Sequence, residues 1–370
     1  MAANVKRAKR PESARRWAAW AGVPAVAVAM AAIAACGTGF EPESLVDSVR
    51  ILASQADHPY ATPGQTVNLQ VLAYDGRQIQ PAPMKVWWLP VVCTNPKDDL
   101  YYACFSSLGG GGGGPADDAG AGGSNPPSPL ASPDGGAALP MLQPGVDLTP
   151  LLVEGSAFSF TLRSDIITSH QTASGQQAYG LAIAFNIACA GHVELLPLDP
   201  SSDNPLQVPV GCFDANHNPL GPSDYVIGFT RVYAYTTWTN ANPVIDQVTF
   251  NGDAIPDGGI QMPHCTASKL KDCPGYALDT VVPSSSREVD PGDLGPDGNP
   301  RNEEIWVDYF TTQGALDDDA RLLYDPVQGA QTGTATKVHA PQVAGSAMLW
   351  AVVHDNRGGA AWQAVPVQVQ

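Results

Sequence analysis

Residues 346–354 read SAMLWAVVH, residues 362–369 read WQAVPVQV, and the turn sequence Asn356-Arg357-Gly358-Gly359 lies between them. Both stretches are short, apolar and rich in valine, which is typical of β-strands bounded by turn residues. The paired glycines suit a tight connection, because glycine adopts the positive φ angles that hairpin turns require. This part of the sequence therefore predicts an antiparallel hairpin and a β-sheet fold.

The rest of the chain is also composed of short strand-like stretches and turns. Its 370 residues include 37 Gly and 34 Pro but only 15% charged residues, a composition that disfavours long helices. A further strand is predicted at residues 304–310. Six more are predicted before residue 240, at residues 49–54, 66–74, 84–89, 157–163, 179–188 and 225–237. The fold class expected from the sequence is all-β.

Residues 106–147 form a low-complexity tract that contains a run of glycines from Gly109 to Gly114. The tract is too poor in apolar residues to offset the entropy of ordering, so we predict a disordered insertion rich in Gly, Pro and Ser. Three strands alone would leave an apolar face uncovered, whereas six strands approach the roughly seven of an immunoglobulin-like sandwich. We therefore place the insertion inside a first domain, residues 45–239, followed by a second domain, residues 240–370.

A short internal repeat supports two tandem domains. Val46-Asp47-Ser48-Val49-Arg50-Ile51 recurs as Ile245-Asp246-Gln247-Val248-Thr249-Phe250, with the pattern apolar, Asp, polar, Val, polar, apolar. Each copy opens a strand-rich stretch. The sequence Asn240-Ala241-Asn242-Pro243 would join the two units.

The final hairpin carries a family resemblance. Val353-His354-Asp355-Asn356-Arg357-Gly358 has the form Val-x-Asp-x-x-Gly, and with Pro366-Val367-Gln368-Val369 it resembles the hairpin that closes bacterial PKD-like and cadherin-like immunoglobulin folds. Residues 60–67, YATPGQTV, resemble the first turn of such modules. The resemblance implies two tandem immunoglobulin-like β-sandwiches, the first of them with the long insertion. Cadherin calcium motifs are not reproduced, and the resemblance specifies a fold and not a function.

Residues 1–35 have the pattern of an export signal. An uncharged stretch at residues 17–35, rich in Ala and Val, follows six basic residues. These are Lys6, Arg7, Lys9, Arg10, Arg15 and Arg16. The sequence Ile33-Ala34-Ala35-Cys36 resembles a bacterial lipobox, which implies cleavage before Cys36 and its modification with acyl chains such as palmitate. The alternative is an uncleaved membrane anchor, since the stretch is just long enough to cross a bilayer.

The lipobox resemblance also predicts a location. Residues 36–44 would form a lipidated tether, and Gly37 replaces the Asp that commonly retains such lipoproteins in the inner membrane. We therefore expect an outer-membrane lipoprotein of the cell envelope, facing the periplasm or the surface. An extended tether reaches at most about 28 Å. This short reach would place the first domain near the bilayer and leave the second domain to meet a partner.

The charge balance excludes one class of partner. Removing residues 1–36 takes away six of the 19 Lys and Arg residues but only one of the 36 Asp and Glu residues. The mature chain would then have a net charge near -22, with 13 basic and 35 acidic residues. Binding to nucleic acid or anionic lipid depends on basic residues that neutralise phosphates. We therefore expect no nucleic-acid partner.

Six cysteines remain once Cys36 is set aside. They fall into three locally spaced pairs, Cys93 with Cys104, Cys189 with Cys212 and Cys265 with Cys273. An exported protein meets an oxidising compartment, so these pairs are predicted to be disulfides, although six cysteines allow 15 connectivities. A zinc site at His264, Cys265 and Cys273 is the alternative, but no Cys-x-x-Cys motif accompanies it.

Two groups of aromatic residues are candidate ligand-binding residues. Strand alternation places Trp87 and Trp88 on opposite faces, and Trp88 is predicted to lie in the core near a disulfide. Trp87 could stack on a sugar if it is exposed, or it could be covered by the insertion. Phe229, Tyr233 and Tyr235 share a strand face with Ile227 and Arg231. This strip could bind a glycan by ring stacking, or it could be the core face of the sheet.

An acidic loop is a candidate calcium site. Asp290, Asp293, Asp297 and Asn299 lie in a Gly- and Pro-rich loop, followed by Glu303 and Glu304. Calcium takes six to eight oxygen ligands, and closely spaced carboxylates in a loop can supply them. The spacing matches no EF-hand, and a solvated acidic loop is the alternative. Apart from this structural calcium, no cofactor is expected.

No catalytic motif is present in the sequence, so a non-enzyme is expected. The histidines at positions 58, 170, 192, 217, 264, 339 and 354 are scattered, and no His-Glu-x-x-His or Gly-x-Ser-x-Gly sequence occurs. The function predicted first is a non-catalytic, lipid-anchored envelope module that acts structurally or by interaction with an unknown protein. A glycan-binding lipoprotein is the second prediction. A hydrolase is the third, and it would require histidines and carboxylates that converge in a cleft.

Overall fold

The computed structural model describes residues 43–105, 144–197 and 208–370. Cys36, the predicted leader and residues 106–143 of the predicted insertion lie outside the described residues. Glu43–Gln370 form one compact unit. Its helices, within the described ranges, are short 3-10 turns at Lys97–Asp99, Tyr101–Phe105, Thr149–Leu151, Leu270–Asp272 and Ser284–Ser286.

Within the described residues, the first sandwich contains ten strands. They are β1 (Val49–Ala56), β2 (Tyr60–Ala61), β3 (Thr66–Asp75), β4 (Lys85–Thr94), β5 (Val153–Glu154), β6 (Ala157–Thr161), β7 (Gly180–Cys189), β8 (His192–Leu195), β9 (Val210–Phe213) and β10 (Tyr225–Ala234). One sheet has the order β1-β3-β6, and the facing sheet has the order β2-β10-β7-β4-β5. Strands β8 and β9, which lie between β7 and β10 in the sequence, form a separate two-stranded hairpin.

The second sandwich contains thirteen strands. They are β11 (Gln247–Phe250), β12 (Asp253–Ala254), β13 (Ile260–Met262), β14 (Gly275–Val281), β15 (Val289–Leu294), β16 (Pro300–Asn302), β17 (Ile305–Thr311), β18 (Ala315–Leu316), β19 (Ala320–Asp325), β20 (Gly329–Ala330), β21 (Thr336–His339), β22 (Gly345–Asp355) and β23 (Ala360–Val369). One sheet has the order β12-β11-β14-β21-β18 and the other β13-β23-β22-β17-β19-β20. Strands β15 and β16 form an additional hairpin.

The two sandwiches share one strand order. In the first sheet, β1-β3-β6 corresponds to β11-β14-β21, and in the second sheet β2-β10-β7-β4-β5 corresponds to β13-β23-β22-β17-β19. In both, a short strand switches sheets and pairs in parallel with the last strand, β2 with β10 and β13 with β23. Two antiparallel sheets connected in this order are the immunoglobulin-like arrangement. The chain is therefore all-β, with two immunoglobulin-like sandwiches in tandem.

The centre of the five-stranded sheet in the first sandwich is buried on both faces. All ten residues of β7 are buried. One face packs against β3 and β6 around Leu69, Trp88 and Phe160. The other face is covered by the 3-10 turn at Tyr101–Phe105, by the β8-β9 hairpin and by Leu148. These segments, Tyr101–Phe105, Leu148 and the β8-β9 hairpin, together form a lid over the sheet. Leu148 is held there by its backbone N–H, which donates to the carbonyl of Val193 in β8.

The predicted insertion is shorter at its C-terminal end than the sequence indicated. Residues 144–147 belong to the described fold, where Gly145 donates its backbone N–H to Leu195 and Asp147 bridges to Glu194. Pairing with an edge strand supplies backbone hydrogen bonds that composition alone does not reveal. The prediction of disorder at residues 144–147 is therefore wrong.

The start of the fold contacts both sandwiches. Ser44 and Val46 exchange backbone hydrogen bonds with Thr311 of β17. Val46 also packs in a cluster with Leu52 of β1 and Trp350 of β22. Ser44, the last residue of the predicted tether, is buried, so the predicted tether ends against the second sandwich.

Candidate functional site

An open cleft lies between the two sandwiches. The first sandwich lines it with the outer face of β10, with Tyr60 of β2 and with the loop that leads into β7. The second sandwich contributes the β15 loop and the turn between β22 and β23. The cleft has a volume of about 970 Å³. The cleft forms because the short segment that joins the two sandwiches, residues 240–243, keeps the turn between β22 and β23 close to β10. This segment is called the junction below.

Five rings form a continuous aromatic cluster in this cleft: Tyr60, Tyr179, Tyr233, Tyr235 and Trp238. The ring centroids of Tyr60 and Tyr235 are 4.7 Å apart, and those of Tyr235 and Trp238 are 5.0 Å apart in a stacked arrangement. Tyr179 lies 5.9 Å from Tyr233 and 6.0 Å from Tyr235. These spacings are those of favourable aromatic pairs, so the cluster forms a preorganised apolar surface.

Polar groups surround the aromatic cluster. Burial raises the pKa of Tyr235 to about 12 and also raises the pKa values of Tyr60, Tyr179 and Tyr233. These phenols therefore remain protonated at neutral pH, and the hydroxyl of Tyr179 donates its hydrogen to the carboxylate of Asp99. Exposed polar side chains complete the lining, namely Gln176, Arg231 and Asn356.

The sequence left open whether the strip of Phe229, Tyr233 and Tyr235 is a binding surface or the core face of the sheet. The burial of the two faces of β10 distinguishes these alternatives. Val232 and Ala234 are fully buried between the sheets, so the opposite face, which carries Phe229 and Tyr233, is not the core face. Phe229 stacks on Tyr101 with centroids 4.7 Å apart. The strip therefore lies partly under the lid and partly in the cleft. Sequence alternation identified these residues but could not identify Tyr60, Tyr179 and Trp238, which come from other segments.

The interpretation of Trp87 as an exposed stacking residue is wrong. Its side chain is 2% exposed and packs under the lid in the cluster that contains both disulfides of the first sandwich. Trp88 is also buried, but it lies on the opposite face, where it stacks on Phe158 and donates its indole N–H to the carbonyl of Gly155. The tryptophan near the disulfides is therefore Trp87 and not Trp88.

The three predicted cysteine pairs are disulfide-bonded. The Cα atoms are 5.7 Å apart in Cys93–Cys104, 5.8 Å in Cys189–Cys212 and 5.6 Å in Cys265–Cys273. These separations are ordinary for disulfides. The alternative zinc site at Cys265 and Cys273 is wrong, because a disulfide leaves no thiolate to bind the ion.

The predicted calcium ligands do not form a common site. Asp293 pairs with Arg301, Asp290 accepts the backbone N–H of Gly292, and Asp297 accepts hydrogen bonds from Asn299. Among the described residues, the carboxylates of these three aspartates do not form a group with ligand atoms within 4.8 Å of one another. They stabilise the turns of the β15-β16 hairpin, and the calcium interpretation of Asp290, Asp293, Asp297 and Asn299 is not supported.

Two of the seven histidines converge on a carboxylate outside the cleft. His192 and Glu194 lie on one face of β8, and His217 follows β9. Both imidazoles contact the same oxygen of Glu194. Burial raises the pKa of this carboxyl, but hydrogen bonds from His217 and His192 outweigh burial and hold the pKa below its usual value. The sequence analysis missed this group, although the spacing His192-x-Glu194 on a strand was a signal for it.

The junction beside the cleft contains a buried ion-pair network. Arg357 donates from Nε to Glu303 at 2.6 Å, from one terminal nitrogen to Glu288 at 3.0 Å and from the other to the carbonyl of Thr239 at 3.0 Å. Its guanidinium carbon lies 5.5 Å from the ring centre of Tyr60. Arg357 thus connects the final hairpin turn, the interdomain segment and the aromatic cluster.

This network predicts a pH-dependent stability. Burial and the nearby Asp355 raise the pKa of Glu303 to about 7, despite the contact with Arg357. The native state then binds the proton more tightly than the unfolded state, so stability falls as the pH rises from about 4.5 to 7. Protonation of Glu303 is expected to contribute roughly 3 kcal/mol to the free energy of unfolding at low pH. Urea unfolding at pH 5 and pH 8 measures it.

The matched variant for this measurement is Glu303→Gln. We expect the free energy of unfolding of this variant to differ less between pH 5 and pH 8 than that of the wild type. We also expect a loss of stability that is the same at both pH values, because an amide nitrogen cannot accept one of the two hydrogen bonds made to Glu303. His339, whose pKa is raised by Asp317, contributes a slope of the same sign in both proteins. An unchanged pH dependence in Glu303→Gln would refute the assignment.

Comparison with known proteins gives little further information. No family model matches this sequence, and no curated protein matches it. Fibronectin(III)-like modules of Clostridium thermocellum CbhA align over 87% of this chain and 94% of theirs, at 9% identity and a TM-score of 0.21. Murine CEACAM1b aligns over 86% of this chain and all of its own, at 6% identity and a TM-score of 0.18. TM-scores this low do not support a relationship with either protein. The immunoglobulin-like fold is assigned from the strand order of the two sandwiches.

A third alignment covers 90% of this chain but only 23% of Escherichia coli alpha-2-macroglobulin activated by porcine elastase, at 11% identity and a TM-score of 0.18. Within the described part of the chain, no helix has the length and apolar character needed to span a membrane.

Proposed function

We propose that this protein is a non-catalytic, lipid-anchored module of the bacterial cell envelope that binds saccharides in the cleft between its two sandwiches. The observation that carries the binding proposal is the aromatic cluster of Tyr60, Tyr179, Tyr233, Tyr235 and Trp238. These rings are partly buried against one another and line an open cleft, and a cleft lined by aromatic side chains with a few polar groups is the usual form of a ligand site.

The chemistry of the cleft suits a sugar. Pyranose rings present apolar C–H faces that pack on aromatic rings, and their hydroxyls need donors and acceptors around the ring edges. The protonated phenols, Asn356 and Gln176 supply such groups beside the cluster. A volume of about 970 Å³ accommodates an oligosaccharide and lies at the upper end of the range of small-molecule sites. Arg231, exposed at one side, suits an acidic sugar.

Affinity electrophoresis tests the saccharide proposal. The full chain is run in native gels that contain a neutral glucan, a galactan or a uronic-acid polysaccharide. We expect retardation by at least one polymer, and we expect Trp238→Ala to lower the affinity about fivefold, since stacking on one ring contributes roughly 1 kcal/mol. Trp362→Ala, a half-buried tryptophan of β23 outside the cleft, is the matched control and should bind as the wild type does.

Two results decide this experiment. Retention of full affinity in Trp238→Ala, with retardation by a polysaccharide, would place the binding surface elsewhere. Absence of retardation by all three polymers would contradict the saccharide proposal, and the cleft would then have to serve a different ligand class. Thermal unfolding of each variant shows that the comparison is between folded proteins.

The lipid anchor is supported by the leader pattern and by the lipobox resemblance at Cys36. Acylation provides stable membrane attachment when two or more chains are present. Mass spectrometry of the mature N-terminus, after expression in a host that processes lipoproteins, tests this part. We expect a chain that begins at an acylated Cys36. An unmodified chain that retains residues 1–35 would contradict the anchor and leave the binding proposal intact.

A further inference from the structure

A second site lies on the β8-β9 hairpin, which the saccharide proposal does not use. Glu194 of β8 is 3% exposed, although it is a carboxylate. His192 lies two residues away on the same strand and donates from Nε2 to the Glu194 oxygen at 2.7 Å. His217 approaches the same oxygen with Nδ1 at 2.5 Å. Three metal-binding side chains therefore meet with their ligand atoms within 4.8 Å of one another.

The scaffold holds these side chains in place. The Cys189–Cys212 disulfide connects the strand before His192 with β9. His217 has a φ of 62°, the left-handed conformation that is uncommon for residues with a side chain. Its turn is held by Asp214, whose carboxylate accepts the backbone N–H groups of Asn216 and Asn218. This turn directs the His217 ring towards Glu194, with the His192 ring centre 5.1 Å away.

We propose that His192, Glu194 and His217 bind a divalent transition-metal ion, with Zn²⁺ as the best fit. Two imidazoles and one carboxylate are a common zinc ligand set, with bonds of about 2.0 to 2.2 Å. Ligand atoms around a tetrahedral ion then lie about 3.3 Å apart. The present contacts are shorter hydrogen bonds, so each side chain must move outwards by less than about 1 Å to admit the ion.

Binding also requires a change of proton position. In the hydrogen-bonded arrangement, His192 Nε2 and His217 Nδ1 each carry the proton donated to Glu194. As ligands, both nitrogens must be free of protons, so each imidazole moves its proton to the other ring nitrogen. The carboxylate is already ionised and needs no proton release.

The site leaves room for an exogenous ligand. Three protein ligands occupy three positions of a tetrahedral ion, and the fourth falls to water or to a ligand from solution. The side chain of His217 is 63% exposed, so the fourth position is accessible from solvent. The ion would connect the turn after β9 to β8 and stabilise the hairpin that covers the sheet of the first sandwich.

Isothermal titration calorimetry of the full chain, purified without a polyhistidine tag and stripped by a chelator, tests the site. We expect one Zn²⁺ to bind per chain and the melting temperature to rise on its addition. His217→Ala should raise the dissociation constant at least tenfold and abolish the shift in melting temperature. Because His217 is largely exposed, this variant is expected to fold. Calcium should give neither effect, since imidazole ligands favour zinc.

The controls separate this site from others. His58→Ala, an exposed histidine outside the group, should bind Zn²⁺ as the wild type does. Anomalous diffraction at the zinc edge should place the ion between Glu194 and the two imidazoles. Equal zinc affinity in His217→Ala, or no saturable zinc binding by the wild type, would show that the three residues are only a hydrogen-bonded cluster. Saccharide binding by His217→Ala should be unchanged, so failure of one proposal leaves the other standing.

Discussion

Arg357→Ala is expected to lower the free energy of unfolding by about 3 to 5 kcal/mol at pH 8. The guanidinium is 2% exposed and contacts Glu303, which is 1% exposed. Removing it leaves the Glu303 carboxylate buried without a positive partner, and a buried unpaired charge is among the most destabilising changes a single substitution can cause. The substitution also removes the hydrogen bonds from Arg357 to Glu288 and to the carbonyl of Thr239.

The pH dependence of this effect identifies its cause. At pH 5, Glu303 is protonated in the folded state and needs no cation, so Arg357→Ala should cost less than at pH 8. Chemical denaturation at both pH values measures the difference. Arg163→Ala is the matched control, because Arg163 pairs with Asp165 at the surface and such pairs contribute at most about 1 kcal/mol. An equal loss at both pH values would mean that packing, and not charge, dominates at Arg357.

Trp87→Ala is expected to lower the free energy of unfolding by about 3 to 5 kcal/mol through the cavity it creates. The indole is 2% exposed and packs with Ile187 and Phe185 of β7 and with both disulfides of the first sandwich. A surrounding cluster with two covalent crosslinks cannot collapse readily into the vacated volume, so the loss should lie in the upper part of this range.

Saccharide binding distinguishes this core role from a role in the cleft. The folded fraction of Trp87→Ala, examined at low temperature, should bind polysaccharide as the wild type does. Trp238→Ala should show the reverse pattern, with reduced binding and a smaller loss of stability, because Trp238 is only half buried. Loss of binding in folded Trp87→Ala would contradict the assignment of Trp87 to the core.

Local sequence patterns predicted most of the longer strands. The predicted strands at residues 49–54 and 66–74 correspond to β1 and β3, and the final hairpin corresponds to β22 and β23. These elements were predictable because valine-rich stretches and glycine turns act over a few neighbouring residues. Strands β8, β9, β14, β19 and β21 are among those that were missed, because their sequences are short or partly polar and they form by pairing with neighbours.

The lid over the first sandwich illustrates what sequence patterns could not predict. Strand alternation correctly separated Trp87 from Trp88, but it could not tell which face would be covered. The lid comes from Tyr101–Phe105, from Leu148 and from the β8-β9 hairpin, which are distant from β4 in the sequence. Their docking buries the outer face of the sheet and converts a candidate binding residue into a core residue.

The amino-acid sequence alone was sufficient for the all-β class and for the three cysteine pairs, because alternation, turn residues and cysteine spacing are local properties. The strand order within each sandwich is a property of the packed chain. The aromatic cleft and the His192, Glu194 and His217 group required the packed chain. Tyr60 meets Tyr235 through the parallel pairing of β2 with β10, and His217 meets Glu194 through a turn of unusual backbone conformation. Such convergence depends on long-range contacts, whose free energy is gained only when the sandwiches are complete.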